Sequence, residues 1–317
     1  MYRILLAAGL LVGAYKAFAE PLRIVSYNVE NLFHPGRDSV NTDTSFTPDG
    51  DKRWSFTRYH NKVENIARVL TDIGGWDGVD IVGLQEVENA AAVKQLCHTL
   101  RPGEYGFVHY DSPDLRGIDV ALIYRTARID TLRTRAIKVR AAKSASHPGE
   151  LITRDILYVC VQADKTDTLH CLVCHLPSQR GGAAESEWKR RTAKEVLQHA
   201  VDSVLTENAQ AKIIVMGDMN STPEEDIAGL SNRMKSTKGQ GTMYKGTHKH
   251  HGQWTCLDQF YTSPALDSLS KVRIYDAEWI MESDERYMGV KPKRTYNGFH
   301  YQNGFSDHLP IVLECLR

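Results

Sequence analysis

The sequence predicts an α/β protein built on mixed β-sheets. Two observations carry that class. Apolar, β-branched runs alternate with segments whose apolar residues fall at helical spacing. Two of the runs, Ile156–Ala163 and Leu169–His175, flank the turn-like Asp164-Lys165-Thr166-Asp167 as the arms of a hairpin would. A doubly wound parallel sheet has no place for such a hairpin.

The strands are read at Leu22–Tyr27, Asp80–Leu84, Gly106–Tyr110, Ile118–Tyr124, Asp155–Gln162, Thr168–His175, Lys212–Met216, Cys256–Tyr261 and Leu309–Glu314. Phe56, Tyr59, Val63, Ile66, Ala67, Leu70 and Ile73 form the apolar stripe of one helix. A second helix carries Val196, Leu197, Ala200 and Val204 inward, with Trp188, Arg191, Lys194 and Glu195 beside them and a charged outer face. Two polar stretches, His34–Lys52 and Met281–Asn303, read as long loops beside a functional surface, not as domain boundaries.

The 317 residues are 42% hydrophobic and 25% charged with a formal net charge of zero, which suits a globular domain and excludes a basic sheath for non-specific nucleic-acid binding. The first nineteen residues read as a signal peptide: a basic start at Arg3, an apolar run from Ile4 to Tyr15 too short to span a bilayer, and Ala17-Phe18-Ala19 before the cut. Export to the periplasm or medium is expected, with the mature chain starting at Glu20. No later segment is apolar enough for stable membrane insertion, and a monomer is expected. The six cysteines are expected to be ordinary buried thiols, with a cross-strand bridge between Cys160 and Cys171 conceivable. Cys171 and Cys174 stand at i and i+3 of a strand, on opposite faces, which argues against a metal or redox pair.

Polar groups recur where strands end. Asn28 and Glu30 follow the first strand, Gln85-Glu86 the second. His175 closes Thr168–His175, Asp218 and Asn220 follow Lys212–Met216, and Ser306-Asp307-His308 precedes the last strand. Singly, Asn28 reads as a turn cap, Glu86 as a solvated charge and His175 as a structural histidine. Together they match phosphate ester hydrolysis, which needs a cation on the non-bridging oxygens, an activated water and stabilised charge on the leaving oxygen. A hard cation such as Mg²⁺ takes oxygen ligands and needs only one or two carboxylates, which Glu86 and Asp307 supply, with Asn28 as neutral ligand or orienter. Histidines near neutral pKa move protons or clamp phosphate.

These segments resemble the endonuclease/exonuclease/phosphatase superfamily over Ile24 to Leu313. Ser26-Tyr27-Asn28-Val29-Glu30 is similar to its opening strand, and Gly83-Leu84-Gln85-Glu86-Val87 to its metal-binding Glu motif. Gly117-Ile118-Asp119-Val120-Ala121 is similar to the strand that gives a carboxylate to the first histidine. Arg154 stands where the family has an arginine at a strand start, and His175-Leu176-Pro177-Ser178 matches the first catalytic histidine. Gly217-Asp218-Met219-Asn220, Trp254 with Leu257-Asp258-Gln259, and Ser306-Asp307-His308-Leu309-Pro310 follow in the family's order.

The resemblance implies a single domain over residues 20–317, a four-layer sandwich of two packed mixed sheets flanked by helices. It implies Mg²⁺ (or Mn²⁺) held by Asn28, Glu86 and Asp307, and a catalytic set of His175, Asp218, Asn220, Asp258, His308, Asp119 and Arg154. Asp258 would orient His308, Asp119 would orient His175, and either Asp218 or His308 would take the water's proton. Glu30 stands where some relatives carry Asp. The loop from Phe46 to Trp54 resembles that of secreted bacterial nuclease-like members, so a nucleic-acid phosphodiester is the expected substrate. The alternatives are a phosphomonoesterase, a phospholipid or inositol phosphate hydrolase, and a member that binds without turnover. His248, His250 and His251 are expected in a loop, with metal binding as the alternative.

Overall fold

A computed structural model of the protein describes residues 20–36, 44–141, 150–179, 182–225, 234–237, 244, 246–267 and 270–315, with backbone alone at 183–185 and 235–237. The leader expected at residues 1–19 lies outside the described residues, as do residues 37–43 of the first long loop.

Twelve strands form two six-stranded sheets. Sheet A contains β1 (Leu22–Leu32), β2 (Ile81–Val87), β3 (Tyr105–His109), β4 (Asp119–Arg125), β11 (Ser270–Ile274) and β12 (Ile311–Cys315), in the order β11-β12-β1-β2-β4-β3. Sheet B contains β5 (Ile129–Ile137), β6 (Ile156–Ala163), β7 (Asp167–His175), β8 (Lys212–Asp218), β9 (Lys235–Thr237) and β10 (Asp258–Thr262), in the order β9-β10-β8-β7-β6-β5. Each sheet has one parallel pair at its centre, β1 with β2 and β8 with β7, and antiparallel neighbours outside. The expected mixed sheets and their sandwich are therefore present.

Side-chain alternation along β7 and β8 explains the layers. Cys171, Val173, Ile214 and Met216 join the core between the sheets, whereas Leu172, Cys174, Ile213 and Val215 join the core under α3 (Ala183–Glu207) with Leu197, Val201 and Val204. On sheet A, α1 (Phe56–Gly74) buries Tyr59, Val63, Ile66, Val69, Leu70 and Ile73, beside α2 (Ala90–Leu100). Ser55 and Asn89 cap these helices through the Arg58 and Ala92 amides. The sheets approach closely at Gly83, where a Cβ would lie 2.6 Å from the Met216 sulfur.

Several local expectations are corrected. Met281–Asn303 is not simply a loop. It forms two ribbons, Met281–Ser283 with Val290–Pro292 and Tyr296–Asn297 with His300–Tyr301. His248–His250 is likewise paired, with Gln253–Thr255. The last strand begins at Ile311, after Pro310, which has no amide to give a ladder. All six cysteines are thiols outside any disulfide. Cys160 faces the α3 core and Cys171 the inter-sheet core, so the conceivable bridge between them has no geometry. No helix among the described residues is long and apolar enough to cross a membrane.

Candidate active site

The topology gathers the strand-end residues. In each central parallel pair both strands run the same way, so Asn28 and Glu86 in sheet A, and His175 and Asp218 in sheet B, emerge together. The antiparallel neighbours start at that edge: Asp258 stands opposite Asp218, and Asp307-His308 precedes β12. The two sheets meet where Asn28 Nδ2 donates to Asp218 Oδ2 at 3.1 Å.

The chain distorts to aim these groups. Ladder register shifts between Asn28 and Leu32 and between Gln85 and Val87. Glu30, Asn31 and Glu86, at φ of 50°, 58° and 64°, turn left-handed at those irregularities, and Asn220 does so at 47° after β8. Bulges re-aim side chains beside functional sites, and left-handed non-glycine residues persist only where their surroundings hold them.

One network runs through Asp218. His308 Nδ1 lies 2.7 Å from Asp258 Oδ2, and His308 Nε2 lies 3.9 Å from Asp218 Oδ2. Asn220 donates its backbone N–H to Asp218 Oδ1 at 2.9 Å and its side-chain amide to the Leu176 carbonyl. Burial opposes the imidazolium of His308, but Asp258, Asp218 and Asp307 outweigh it and hold its pKa well above the ordinary value. Burial pushes the Asp218 carboxyl up to about 6 against the pull of His308. The Thr247–His248 segment braces the network. Thr247 Oγ1 accepts from the Leu257 and Asp258 amides, and the His248 ring packs 4.7 Å from that of His308.

His175 approaches from the other side, with Nε2 3.5 Å from Asp218 Oδ2 and Nδ1 buried without a hydrogen-bond partner. Burial, with Arg154 and Arg116 nearby, holds its pKa well below the ordinary value, so the ring is neutral. Asp119 is not its partner. Asp119 Oδ1 accepts from Ser112 Oγ and from the Ser112 amide, while Oδ2 lies 3.5 Å from His109 Nε2. The expected Asp119–His175 pairing is therefore replaced by an Asp119–His109 pairing that pins the turn after β3. Arg154 is buried and grips backbone: it donates to the His175 and Leu176 carbonyls at 3.0 and 3.2 Å and pairs with Asp114 at 3.0 Å.

A second wall carries Glu30, Glu86 and Asp307. Arg294 bridges two of them, donating from Nε to Glu30 Oε1 at 3.1 Å and from Nη2 to Asp307 Oδ2 at 2.9 Å. Arg116 Nη1 lies 3.6 Å from Glu86 Oε1 and Nη2 donates to Asn31 Oδ1. Lys62 is buried behind them, donating to Thr295 Oγ1 and the Phe305 carbonyl. Burial lowers the Lys62 ammonium to about 8 although Glu30, Asp307 and Glu86 all favour its charge. Burial and Asp307 lift the Glu30 carboxyl to about 7, and Arg294 leads the cations that hold Asp307 down at about 2 against its burial. The donor set fits a hard divalent cation. Two carboxylates, Glu86 and Asp307, are balanced by arginines whose side chains remain more than a third exposed, positions a cation can take over. Asn28 Oδ1 accepts from the Glu30 amide while its Nδ2 holds Asp218, so Asn28 links the two walls. Asp218, Asp258 and His308 also offer ligand atoms within 4.8 Å of one another.

Lys62, Arg116 and Arg294 belong to none of the motifs read from the sequence, whereas His248, expected in a loop, packs against His308. Only Lys62 left a signal, a lysine on the apolar stripe of α1 next to Tyr59, Val63 and Ile66.

Comparison with known proteins agrees with this architecture. The sequence model of the Endonuclease/Exonuclease/phosphatase family matches residues 23–317. No curated protein matches the sequence. Among solved structures, TDP2 from Caenorhabditis elegans superposes with a TM-score of 0.58 at 16% identity over 94% of this chain and 74% of its own. A mannosyl-6-phosphatase from Bacteroides thetaiotaomicron gives 0.59 at 16% identity over 93% of this chain and 100% of its own. The human Nocturnin catalytic domain gives 0.57 at 17% identity over 94% and 96%. At these identities the likeness is one of fold.

Proposed function

The chain belongs to the endonuclease/exonuclease/phosphatase family, a family of phosphate ester hydrolases, and from that premise we propose that it is a divalent-metal-dependent phosphodiesterase acting on nucleic acid. The observation that carries the reading is one buried carboxylate, Asp218, set between a charged and a neutral histidine and tied through Asn28 to a wall of acids.

Glu86 and Asp307 would hold the cation, with Asn28 orienting the space between them and Asp218. When bound, the ion supplies positive charge to the phosphoryl oxygens. Asp218, ionised above about 6, takes the proton of the attacking water. Its neighbour His308, whose imidazolium Asp258, Asp218 and Asp307 favour, is suited to donate to a phosphoryl oxygen. Asp258 keeps that imidazolium oriented through Nδ1. His175, neutral, offers a single N–H toward the same centre, and Arg154 fixes the His175 and Leu176 backbone that carries it. Asn220 holds Asp218 in place from behind.

The nucleic-acid reading is supported by the Phe46–Trp54 segment, whose aromatic and basic residues wall a cavity at the site. A phosphomonoesterase is the second reading, favoured by Lys62, Arg116 and Arg294 clustered about the acids, enough charge for a dianionic ester. Turnover of duplex DNA, single-stranded DNA, RNA, sphingomyelin, inositol phosphates and a simple monoester with Mg²⁺ or Mn²⁺ separates them. Chelator should abolish the activity and either metal restore it; full activity in excess chelator defeats the metal-dependent reading. Export belongs to the same proposal, and mass spectrometry of the native protein should find Glu20 at its N-terminus.

A further inference from the structure

A cavity of about 410 Å³ opens beside the acidic wall, sharing Glu30 and Arg294 with it. That size suits a small ligand or one residue of a polymer. Its other lining includes Lys52, Arg116, Phe46 and Tyr296. The cations outnumber the acids, and they differ in how they are used. Arg294 and Arg116 each face a carboxylate. Among the described residues Lys52 faces none: its ammonium donates to the Gly298 carbonyl at 2.5 Å and lies 4.9 and 5.0 Å from the Tyr296 and Phe299 ring centres. The aromatic side is firm. Phe46 stacks on Phe33 at 4.5 Å, Trp54 and Phe46 abut Tyr296, and the Tyr296 hydroxyl donates to the Lys52 carbonyl. Phe299, 69% exposed, stands at the ribbon turn beside Lys52.

We propose that this cavity is a subsite for a second phosphate group of the substrate, one carried on the same molecule as the scissile phosphate, with Lys52 as its specificity-determining contact. The inference rests on the hydrolase reading for the position of the scissile group. Lys52 and Arg116 supply charge-assisted donors on one side, and Phe46 and Tyr296 give an apolar face to the sugar or base that joins the two phosphates. Lys52 touches none of the acids or histidines of the site, so it acts on binding alone. The second phosphate can belong to a polynucleotide or to a bisphosphorylated sugar; the cations recognise both alike.

Binding is read apart from turnover by calorimetry on the His308→Ala protein with Mg²⁺. The probes are thymidine 3′,5′-bisphosphate against thymidine 5′-phosphate, and glucose 1,6-bisphosphate against glucose 6-phosphate. The second phosphate should tighten binding by about tenfold, the scale of one charge-assisted contact. Adding Lys52→Gln should remove most of that gain without weakening the monophosphates, and Lys52→Arg should retain it. A gain in the nucleoside pair alone identifies a polynucleotide flank, and a gain in both pairs identifies phosphate recognition independent of its carrier. Equal affinity for mono- and bisphosphates in both pairs overturns the inference, as does a gain indifferent to Lys52→Gln. Failure of wild-type protein to hydrolyse any ester would instead overturn the hydrolase reading, and leaves an affinity difference intact.

Discussion

His175 and His308 face the same carboxylate from opposite sides, and their environments drive them to opposite protonation states. Both are buried, which disfavours the imidazolium in each. His308 has Asp258 at 2.7 Å on its far nitrogen. His175 has no partner there and has Arg154 and Arg116 close by. Burial is common to both, so the surrounding charges decide: carboxylates led by Asp258 favour the imidazolium of His308, and Arg154 and Arg116 oppose that of His175. Residues of one type, one depth and one neighbour thus become a fixed cation and a neutral donor.

The largest expected effect removes the charged side. His308→Ala should lower kcat by at least about a hundredfold, the lower bound for a group that supplies a proton or stabilises charge. Melting temperature separates this from a packing role, since a merely structural histidine would lose activity only in step with stability. Folded His308→Ala with near wild-type kcat refutes the assignment.

Next, Asp258→Asn removes the leading carboxylate but leaves both rings. Activity should fall by roughly tenfold, and the alkaline limb of kcat/KM should move down toward 6.5. The sign follows from the raised His308 pKa: its pairing adds stability in full below 6.5 and loses it as pH rises through the raised value. The variant should therefore lose more stability at pH 6 than at alkaline pH. Combined with His308→Ala it should cost little beyond His308→Ala alone, because the two act as a unit.

A milder change tests the neutral side. His175→Gln keeps an uncharged N–H donor and should cost only several-fold in kcat, about a kcal/mol of barrier. A loss as deep as that of His308→Ala would mean His175 works as a cation, and the contrast between the rings would be void. The smallest effect on chemistry and the clearest on stability should come from Gly217→Ala. At φ 148° a Cβ would sit 1.8 Å from the Cys174 carbonyl, in the ladder that sets His175 opposite Asp218. Thermal unfolding should report a loss of about 2 kcal/mol or more.

What the sequence made legible was short-range. The strand ends at Asn28, Glu86, His175 and Asp218 could be read because a polar group closing an apolar run is a local pattern, and topology then assembled them. The pairing of His308 with Asp258 followed from resemblance and is present. Resemblance misled at Asp119, whose partner His109 lies one hairpin away. Arg294 meets Glu30 across 264 residues, and no local pattern marks such a contact. The edge strand β5 escaped because most of its side chains are exposed and polar, leaving no apolar alternation. The paired ribbons within Met281–Asn303 escaped because their strands are two or three residues long, too short for an alternation to show.

The left-handed turns at Glu30, Asn31, Glu86 and Asn220 bear on how this protein could be altered. Each non-glycine residue in that region costs about 1 kcal/mol or more, and together these four hold the rim of the acidic wall and of Asp218. Selection for heat resistance alone would therefore be drawn to these positions, where glycine relieves the backbone, and would harvest variants that outlast the parent while having surrendered the side chains that make it worth preserving.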